Sequence, residues 1–226
     1  MDVKDASIRK ATIVLADDHR VVREGLRLLL QAEPDFSVLG EAGDGFKAIQ
    51  LVESLKPDVL LLDLMMPEMN GQEVARKVRK CSPQTRVVVL SMHSSDPYVI
   101  EALRNGATGY VLKDASGTDV IHAVREVMAG RRYLSSPLSE RAIDAYQERA
   151  KSAVLEKYDM LTARERQILQ LVAEGHTNSE IASRLGIGLR TAETHRTHVM
   201  RKLQLRTHTD LVRYAIERGI IPLDKS

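Results

Sequence analysis

The sequence predicts an α/β domain with a parallel sheet, followed by an all-helical domain. Over the first 130 residues, short and continuously apolar runs alternate with amphipathic helical segments, as in a parallel sheet buried on both faces. After Met160 the strand-like runs disappear. The net charge also changes sign, from −3 in residues 1–130 to +5 in residues 131–226. This asymmetry indicates two domains with different partners, the second of them suited to a polyanion.

Composition excludes several classes of protein. With 43% hydrophobic and 28% charged residues over 226 positions, the chain has enough apolar side chains for a core and is not disordered. A single cysteine, Cys81, forms neither an intramolecular disulfide nor a cysteine-based zinc site. No apolar run reaches the roughly 18 residues of a membrane span. The N-terminus lacks the apolar core of a signal peptide, so we expect no membrane association and a cytoplasmic location.

Five strands are predicted in the first domain, which we place at residues 10–130. They are 12–16, 37–42, 58–63, 86–91 and 109–112. Helical periodicity and start signals such as Asn70 with Glu73 and Ser116 with Asp119 lie between them. Right-handed crossovers then predict a flavodoxin-like five-stranded parallel sheet of order 2-1-3-4-5.

The remainder of the chain divides into a linker and a helical domain. Residues 131–159 are rich in charge with little apolar periodicity, so we predict a linker that is helical after Pro137. From residue 160 to residue 226 we predict an all-α domain of four helices. Three of its helix starts fit capping boxes, in which a threonine is followed three residues later by an acid. These pairs are Thr162 with Glu165, Thr177 with Glu180, and Thr207 with Asp210.

Acidic side chains occupy two neighbouring strand ends of the predicted sheet. Asp17 and Asp18 follow the first strand, and Asp63 ends the third. In the order 2-1-3-4-5 these ends meet at the carboxyl edge, where ligands bind in open α/β sheets. Carboxylates this close repel one another unless a hard cation neutralises them, and Mg²⁺ suits such a site. Ser91 and Lys113 end the fourth and fifth strands, and we expect Lys113 to be exposed.

The segments ADDHRVVREGL, DLMMPEMNG and GYVLKD, with Ser91 between the last two, closely resemble the receiver domain of bacterial two-component response regulators. The resemblance implies that Asp63 accepts a phosphoryl group from a sensor histidine kinase and that phosphorylation promotes a homodimer. It assigns Mg²⁺ to Asp17, Asp18, Asp63 and the backbone carbonyl of Met65. It also assigns Lys113 and Ser91 to the phosphoryl group, and Tyr110 to a rotamer switch.

The aspartates, Tyr110 and the two loop histidines also admit other interpretations. Single aspartates at loop mouths often cap helices, but three of them with Lys113 at successive strand ends favour a site. A phosphatase of the haloacid dehalogenase type requires an aspartate two residues after the nucleophile, where this chain has Met65. An enzyme is therefore disfavoured. Tyr110 is equally compatible with a core position. His19 and His93 are expected to be solvent-facing loop residues.

Within the second domain, residues 180–203 predict a helix, a turn at Gly186 and a second helix. Helical spacing places five polar side chains of the second helix on one outward stripe. They are Arg190, Glu193, Thr194, Thr197 and Arg201.

The run LTARERQILQLVAEGHTNSEIASRLGIGLRTAETHRTHVMRKL strongly resembles the LuxR-type helix-turn-helix, and a receiver followed by this module is the NarL/FixJ layout. The resemblance implies that residues 190–203 form a recognition helix in the major groove of double-stranded promoter DNA. Glu193, Thr194 and Thr197 take base-facing positions. Phosphate contacts are expected from Thr177, Asn178, Arg196, Arg201 and Lys202. Arg190 is a further expected DNA-binding residue.

Glu193 leaves a second function open. It brings a negative charge toward DNA unless it pairs with Arg190 or Arg196 on the helix surface. A regulator that acts mainly through protein contacts is therefore the alternative to a DNA-binding one. A ligand-sensing quorum regulator is disfavoured, because its N-terminal domain has no need of the aspartates and Lys113. The last helix is either core or a pairing surface for two DNA-binding domains.

Overall fold

The computed structural model describes residues 9–94, 96–136, 138 and 157–221. The helical linker predicted after Pro137 falls almost entirely on residues outside these ranges. Within the described residues, no helix is both long and apolar enough to cross a bilayer.

The N-terminal half is built on a six-stranded parallel sheet of order β2-β1-β3-β4-β5-β6. Its strands are β1 (Ala11–Ala16), β2 (Phe36–Ala42), β3 (Val59–Asp63), β4 (Arg86–Ser91), β5 (Ala107–Leu112) and β6 (Tyr133–Leu134). The predicted order of the first five strands is confirmed. The short β6 lies in the segment predicted to be linker and pairs with Gly109 and Tyr110 of β5. Two residues are too few to produce a periodic signal in the sequence.

Helices cover both faces of the sheet. They are α1 (Arg20–Gln31), α2 (Gly45–Leu55), α3 (Gly71–Cys81), α4 (Asp96–Arg104) and α5 (Gly117–Met128). As predicted, Asn70 caps α3 by accepting from the Glu73 N–H, and Ser116 with Asp119 forms a complete capping box on α5. Each face of the sheet contributes to a separate core, because successive strand residues point to opposite sides.

In the C-terminal part, residues 157–221 form helices joined by short turns. A 3₁₀ turn (Lys157–Met160) precedes α6 (Ala163–Ala173), α7 (Asn178–Leu185), α8 (Leu189–Leu203) and α9 (His208–Glu217). The three capping boxes predicted for this part begin α6, α7 and α9. Gly186 ends α7 in the left-handed conformation, where glycine has no steric penalty, and so allows the tight turn to α8.

The helical domain docks on the sheet domain through polar and buried contacts. The guanidinium of Arg166 on α6 lies 3.4 Å from a carboxylate oxygen of Glu73 on α3, and both side chains are almost fully buried. The Tyr98 hydroxyl of α4 donates to the carbonyl of Ile216 on α9 at 3.3 Å. Between the domains lies a cleft of about 320 Å³. Its walls include Asp18 and Met65 from the sheet domain and Gln170 from α6, so it opens onto the carboxyl edge of the sheet.

Candidate functional site

The three predicted carboxylates meet at the carboxyl edge of the sheet. Asp17 directly follows β1 and Asp63 ends β3, the neighbouring strand. Both are buried, whereas Asp18 is exposed to the cleft. Ligand atoms of these three side chains and of His19 all lie within 4.8 Å of one another. Since the strands are parallel neighbours, their ends converge and a single acidic pocket results.

Lys113 closes one side of this pocket. Its Nζ lies 2.7 Å from Oδ2 of Asp17 and 2.9 Å from Oδ2 of Asp63. The expectation of an exposed lysine is wrong, since only 14% of the side chain is accessible. The side chain is largely buried because its ammonium group pairs with two buried carboxylates.

Burial and charge shift the pKa values of the pocket in opposing ways. Burial raises the pKa of the Asp63 carboxyl above its ordinary value of 3.8; the ammonium of Lys113 opposes this and the carboxylate of Asp17 adds to it. Burial by itself would lower the pKa of Lys113, but the carboxylates of Asp63 and Asp17 outweigh it and raise that pKa. Lys113 is therefore held as a cation beside the carboxylates.

The donor set fits a divalent cation with oxygen ligands. Three carboxylates against one ammonium leave a local charge of about −2, which a divalent ion neutralises. Mg²⁺ prefers a small number of carboxylates together with waters, and the exposed side of Asp18 leaves room for water. The Met65 backbone N–H donates to Oδ1 of Asp63 at 3.2 Å, so the loop carrying the Met65 carbonyl lies directly beside the pocket.

Ser91 and Tyr110 are both buried and both contact the loop after β4. Oγ of Ser91 accepts from the His93 N–H at 3.1 Å, and the Tyr110 hydroxyl donates to the His93 carbonyl at 2.7 Å. Burial raises the pKa of the Tyr110 phenol, which stays a donor. The two interpretations of Tyr110 are thus compatible, since a core tyrosine also ties this loop to β5.

The prediction of a solvent-facing loop histidine is confirmed for His19 and wrong for His93. The His93 ring is half-buried and stacks on Tyr98 at 4.2 Å between ring centroids, and burial lowers the pKa of its imidazole. His19 is 65% exposed, yet its Nδ1 lies 2.7 Å from Oδ1 of Asp18. Both contacts join residues that are close in the chain, but no sequence pattern predicts them.

The polar stripe of α8 faces solvent, as its spacing predicts. Arg190, Glu193, Thr194, Thr197 and Arg201 are all exposed. The hydroxyls of Thr194 and Thr197 donate to backbone carbonyls four residues earlier, at 2.8 and 3.0 Å. Their methyl groups and remaining lone pairs stay available to a ligand.

Several predicted phosphate contacts also have structural partners. Arg196 donates to the side-chain oxygen of Asn178 at 3.0 Å, so these two are held together at the start of α7. Lys202 lies 2.7 Å from a carboxylate oxygen of Glu165, and Thr177 caps α7. Arg196 thus bonds to Asn178 and not to Glu193, its alternative partner. Glu193 lies exposed on the polar stripe.

A parallel α/β domain with an acidic pocket, joined to a helix-turn-helix, is the architecture of a DNA-binding regulator. Comparison with known proteins agrees. The response regulator receiver domain family matches residues 13–125, and the luxR family of bacterial regulatory proteins matches residues 159–215. The chain belongs to the two-component response regulators of the NarL/FixJ type, with a receiver and a LuxR-type DNA-binding domain.

Similar proteins and solved structures match between 62% and 92% of this chain. The oxygen regulatory protein NreC of Staphylococcus haemolyticus is 37% identical, over 92% of this chain and 98% of its own. A LuxR-family response regulator from Aurantimonas sp. SI85-9A1 is 33% identical, with a TM-score of 0.58 over 62% of this chain and 99% of its own. RcsB in complex with DNA is 25% identical, with a TM-score of 0.57 over 92% of this chain and 99% of its own.

Proposed function

We propose that the chain is a phosphorylation-controlled transcription regulator whose Asp63 accepts a phosphoryl group from a sensor histidine kinase. The single observation that supports this most is the pocket itself. Asp63 is buried at a strand end, 2.9 Å from the ammonium of Lys113, with two further carboxylates beside it. A purely structural aspartate needs neither the lysine nor the acidic neighbours.

In the transfer, an oxygen of the Asp63 carboxylate attacks phosphorus and the phosphorus–nitrogen bond of the donor phosphohistidine breaks. An acyl phosphate forms on Asp63, and the imidazole leaves with the bonding electron pair and takes up a proton. Asp17, Asp18, Asp63 and the Met65 carbonyl are the groups that would hold Mg²⁺, which supplies charge neutralisation for the transferring phosphoryl group. Lys113 provides a fixed cation beside Asp63 and Asp17.

The phosphoryl group then acts through Lys113, Ser91 and Tyr110. New phosphoryl oxygens offer acceptors to the Lys113 ammonium and the Ser91 hydroxyl. Ser91 and Tyr110 are both hydrogen-bonded to the loop at His93. A movement of either side chain would therefore shift that loop and α4, which follows it. This is the contact network that a local charge change can bias between two states.

The output of the switch is DNA binding by the helical domain. The solvent-facing stripe of α8 suits the major groove, with Glu193, Thr194 and Thr197 toward bases and the exposed Arg190 and Arg201 toward phosphates. We place the receiver at residues 10–130 and the DNA-binding domain at 160–226. A homodimer formed on phosphorylation matches operators with paired half-sites, and RcsB dimers on DNA are among the similar structures.

Phosphorylation with a small donor tests this function. Incubation of the chain with acetyl phosphate and Mg²⁺ should add one phosphoryl group, located on Asp63 by mass spectrometry. Asp63→Asn should remain unlabelled, whereas Asp44→Asn, which alters a half-buried carboxyl that caps α2, should label like the wild type. Full labelling in EDTA, or a phosphoryl group on another residue, would overturn the proposal.

A further inference from the structure

A side chain of the helical domain is bonded to the loop that follows Asp63. Gln170 of α6 accepts from the backbone N–H of Asn70 at 2.9 Å through Oε1. Its Nε2 donates to the carbonyl of Met66 at 3.2 Å and to the carboxylate of Glu174 at 2.8 Å. The residue is only 3% exposed. One amide group therefore fastens two points of the receiver loop 64–70 to the DNA-binding domain.

The loop's own hydrogen bonds hold Met65, whose N–H donates to Oδ1 of Asp63, but among the described residues only Gln170 donates to the Met66 carbonyl. The loop's ends are joined by the bond from the Gly71 N–H to the Leu64 carbonyl at 2.8 Å, and the Met69 N–H donates to the Pro67 carbonyl. Neither bond involves Met65 or Met66. The side chain of Gln170 supplies a donor to the Met66 carbonyl, one residue beyond the carbonyl assigned to the metal.

A second glutamine at the domain interface provides a control, because it joins the two domains through bonds to other residues. Gln72 of α3 is 1% exposed, and its Nε2 donates to the carbonyls of Arg218 and Gly219 at 3.1 and 3.4 Å. It therefore bonds the same two domains through the same kind of amide, but neither of these bonds involves loop 64–70. The two residues make a matched pair.

We propose that Gln170 is a positioning residue for the receiver's Mg²⁺ site, so that the docked DNA-binding domain is part of that site. The inference rests on the proposed function. By holding the Met66 carbonyl and the Asn70 N–H, Gln170 fixes the backbone on both sides of the loop before the ion binds. A preorganised loop loses less conformational freedom on binding and binds more tightly. Because coupling is reciprocal, Mg²⁺ in turn favours the docked arrangement.

Calorimetric titration of Mg²⁺ alone into the full-length chain tests the inference. Gln170→Met keeps the length of the side chain and removes both hydrogen bonds to the loop. The dissociation constant for Mg²⁺ should rise about 10-fold, the lower end of what is typical for residues that orient metal ligands. Gln72→Met should stay within about 2-fold of the wild type, because the remaining interdomain contacts keep Gln170 on the loop.

A kinetic readout separates positioning from general damage. In Gln170→Met, the Mg²⁺ concentration that gives half-maximal phosphorylation by acetyl phosphate should rise by the same factor, while the rate at saturating Mg²⁺ stays unchanged. Equal Mg²⁺ affinity in Gln170→Met and wild type, or equal losses in the Gln170 and Gln72 variants, would overturn the inference alone. If the wild type itself binds Mg²⁺ no better than Asp63→Asn, the proposed function fails instead.

Discussion

Lys113 shows how one residue links folding to signalling. It bridges Asp17 and Asp63 at 2.7 and 2.9 Å, so it partly offsets the charge of these carboxylates before any phosphoryl group arrives. The same ammonium is the cation that a phosphoryl group on Asp63 would meet. A group with both tasks cannot be replaced without changing the stability of the pocket as well as its response.

Lys113→Ala should therefore destabilise the receiver, because it leaves two buried carboxylates without their partner. Urea unfolding without Mg²⁺ should show a loss of about 3 kcal/mol, the lower end for removing one partner of a buried ion pair. Lys47→Ala removes an exposed lysine from α2 and should change stability by less than about 0.5 kcal/mol. A Lys113→Ala variant as stable as the wild type would show that the carboxylates do not need this charge.

The pH dependence of that loss has a defined sign. Without Lys113, only the hydrogen bond from the Met65 N–H opposes the effects of burial and Asp17, so the pKa of Asp63 lies further above 3.8. A carboxyl whose pKa is raised by folding binds its proton more tightly in the folded state, so stability increases as the pH falls toward that pKa. The penalty in Lys113→Ala should thus be largest near neutral pH and should shrink as the medium is acidified.

Prediction from sequence succeeds for residues whose position is set by strand ends. Asp17, Asp63, Ser91 and Lys113 each follow or end a strand, and a parallel sheet brings such ends together. The burial of Lys113 and the stack of His93 on Tyr98 were not predictable, because they depend on side chains that meet only after folding.

At the scale of elements, α8 presents two kinds of side chain on one stripe. Thr194 and Thr197 are short and have their hydroxyls bonded to the helix backbone, whereas Arg190 and Arg201 are long and charged. Short side chains reach base edges only when the helix lies in the groove, and long cations reach phosphates from the rim. Specificity and affinity should therefore separate by residue.

Binding measured across a randomised duplex library should show this separation. Thr194→Ala or Thr197→Ala should relax preference at particular base pairs while leaving the salt dependence unchanged. Arg201→Ala should weaken all sequences alike and reduce the slope of log K against log salt by about one. Arg20→Ala, which removes an exposed charge from α1 of the receiver, is the charge-matched control. Identical behaviour of the threonine and arginine variants would contradict these assignments.

The elements themselves follow from local sequence signals where those signals are strong. The capping boxes at Thr162, Thr177 and Thr207 each begin a helix, since the reciprocal hydrogen bonds are made within four residues. The strand Tyr133–Leu134 was missed because its pairing with β5 is a tertiary contact of two residues. The contacts that dock the helical domain on α3 and α4 were missed for the same reason, as they join residues far apart in the chain.

At the scale of the whole molecule, two routes connect the pocket to the helical domain. One runs along the loop after β3 to Gln170. The other runs from Tyr110 to the loop at His93, whose ring stacks on Tyr98, and the Tyr98 hydroxyl donates to the carbonyl of Ile216. We expect a charge change at Asp63 to act through these contacts on the docking of the helical domain.

The central claim is that the state of Asp63 sets the strength of DNA binding, and beryllofluoride tests it most directly because it mimics the phosphoryl group. Affinity should be measured on duplexes selected by the protein from a random pool, with and without beryllofluoride and Mg²⁺. Wild type should bind about 5- to 150-fold more tightly with the mimic, the range of typical allosteric coupling. Asp63→Asn, which keeps the shape of the side chain, should remain in the weak state. Equal affinity of the wild type under both conditions would contradict the claim.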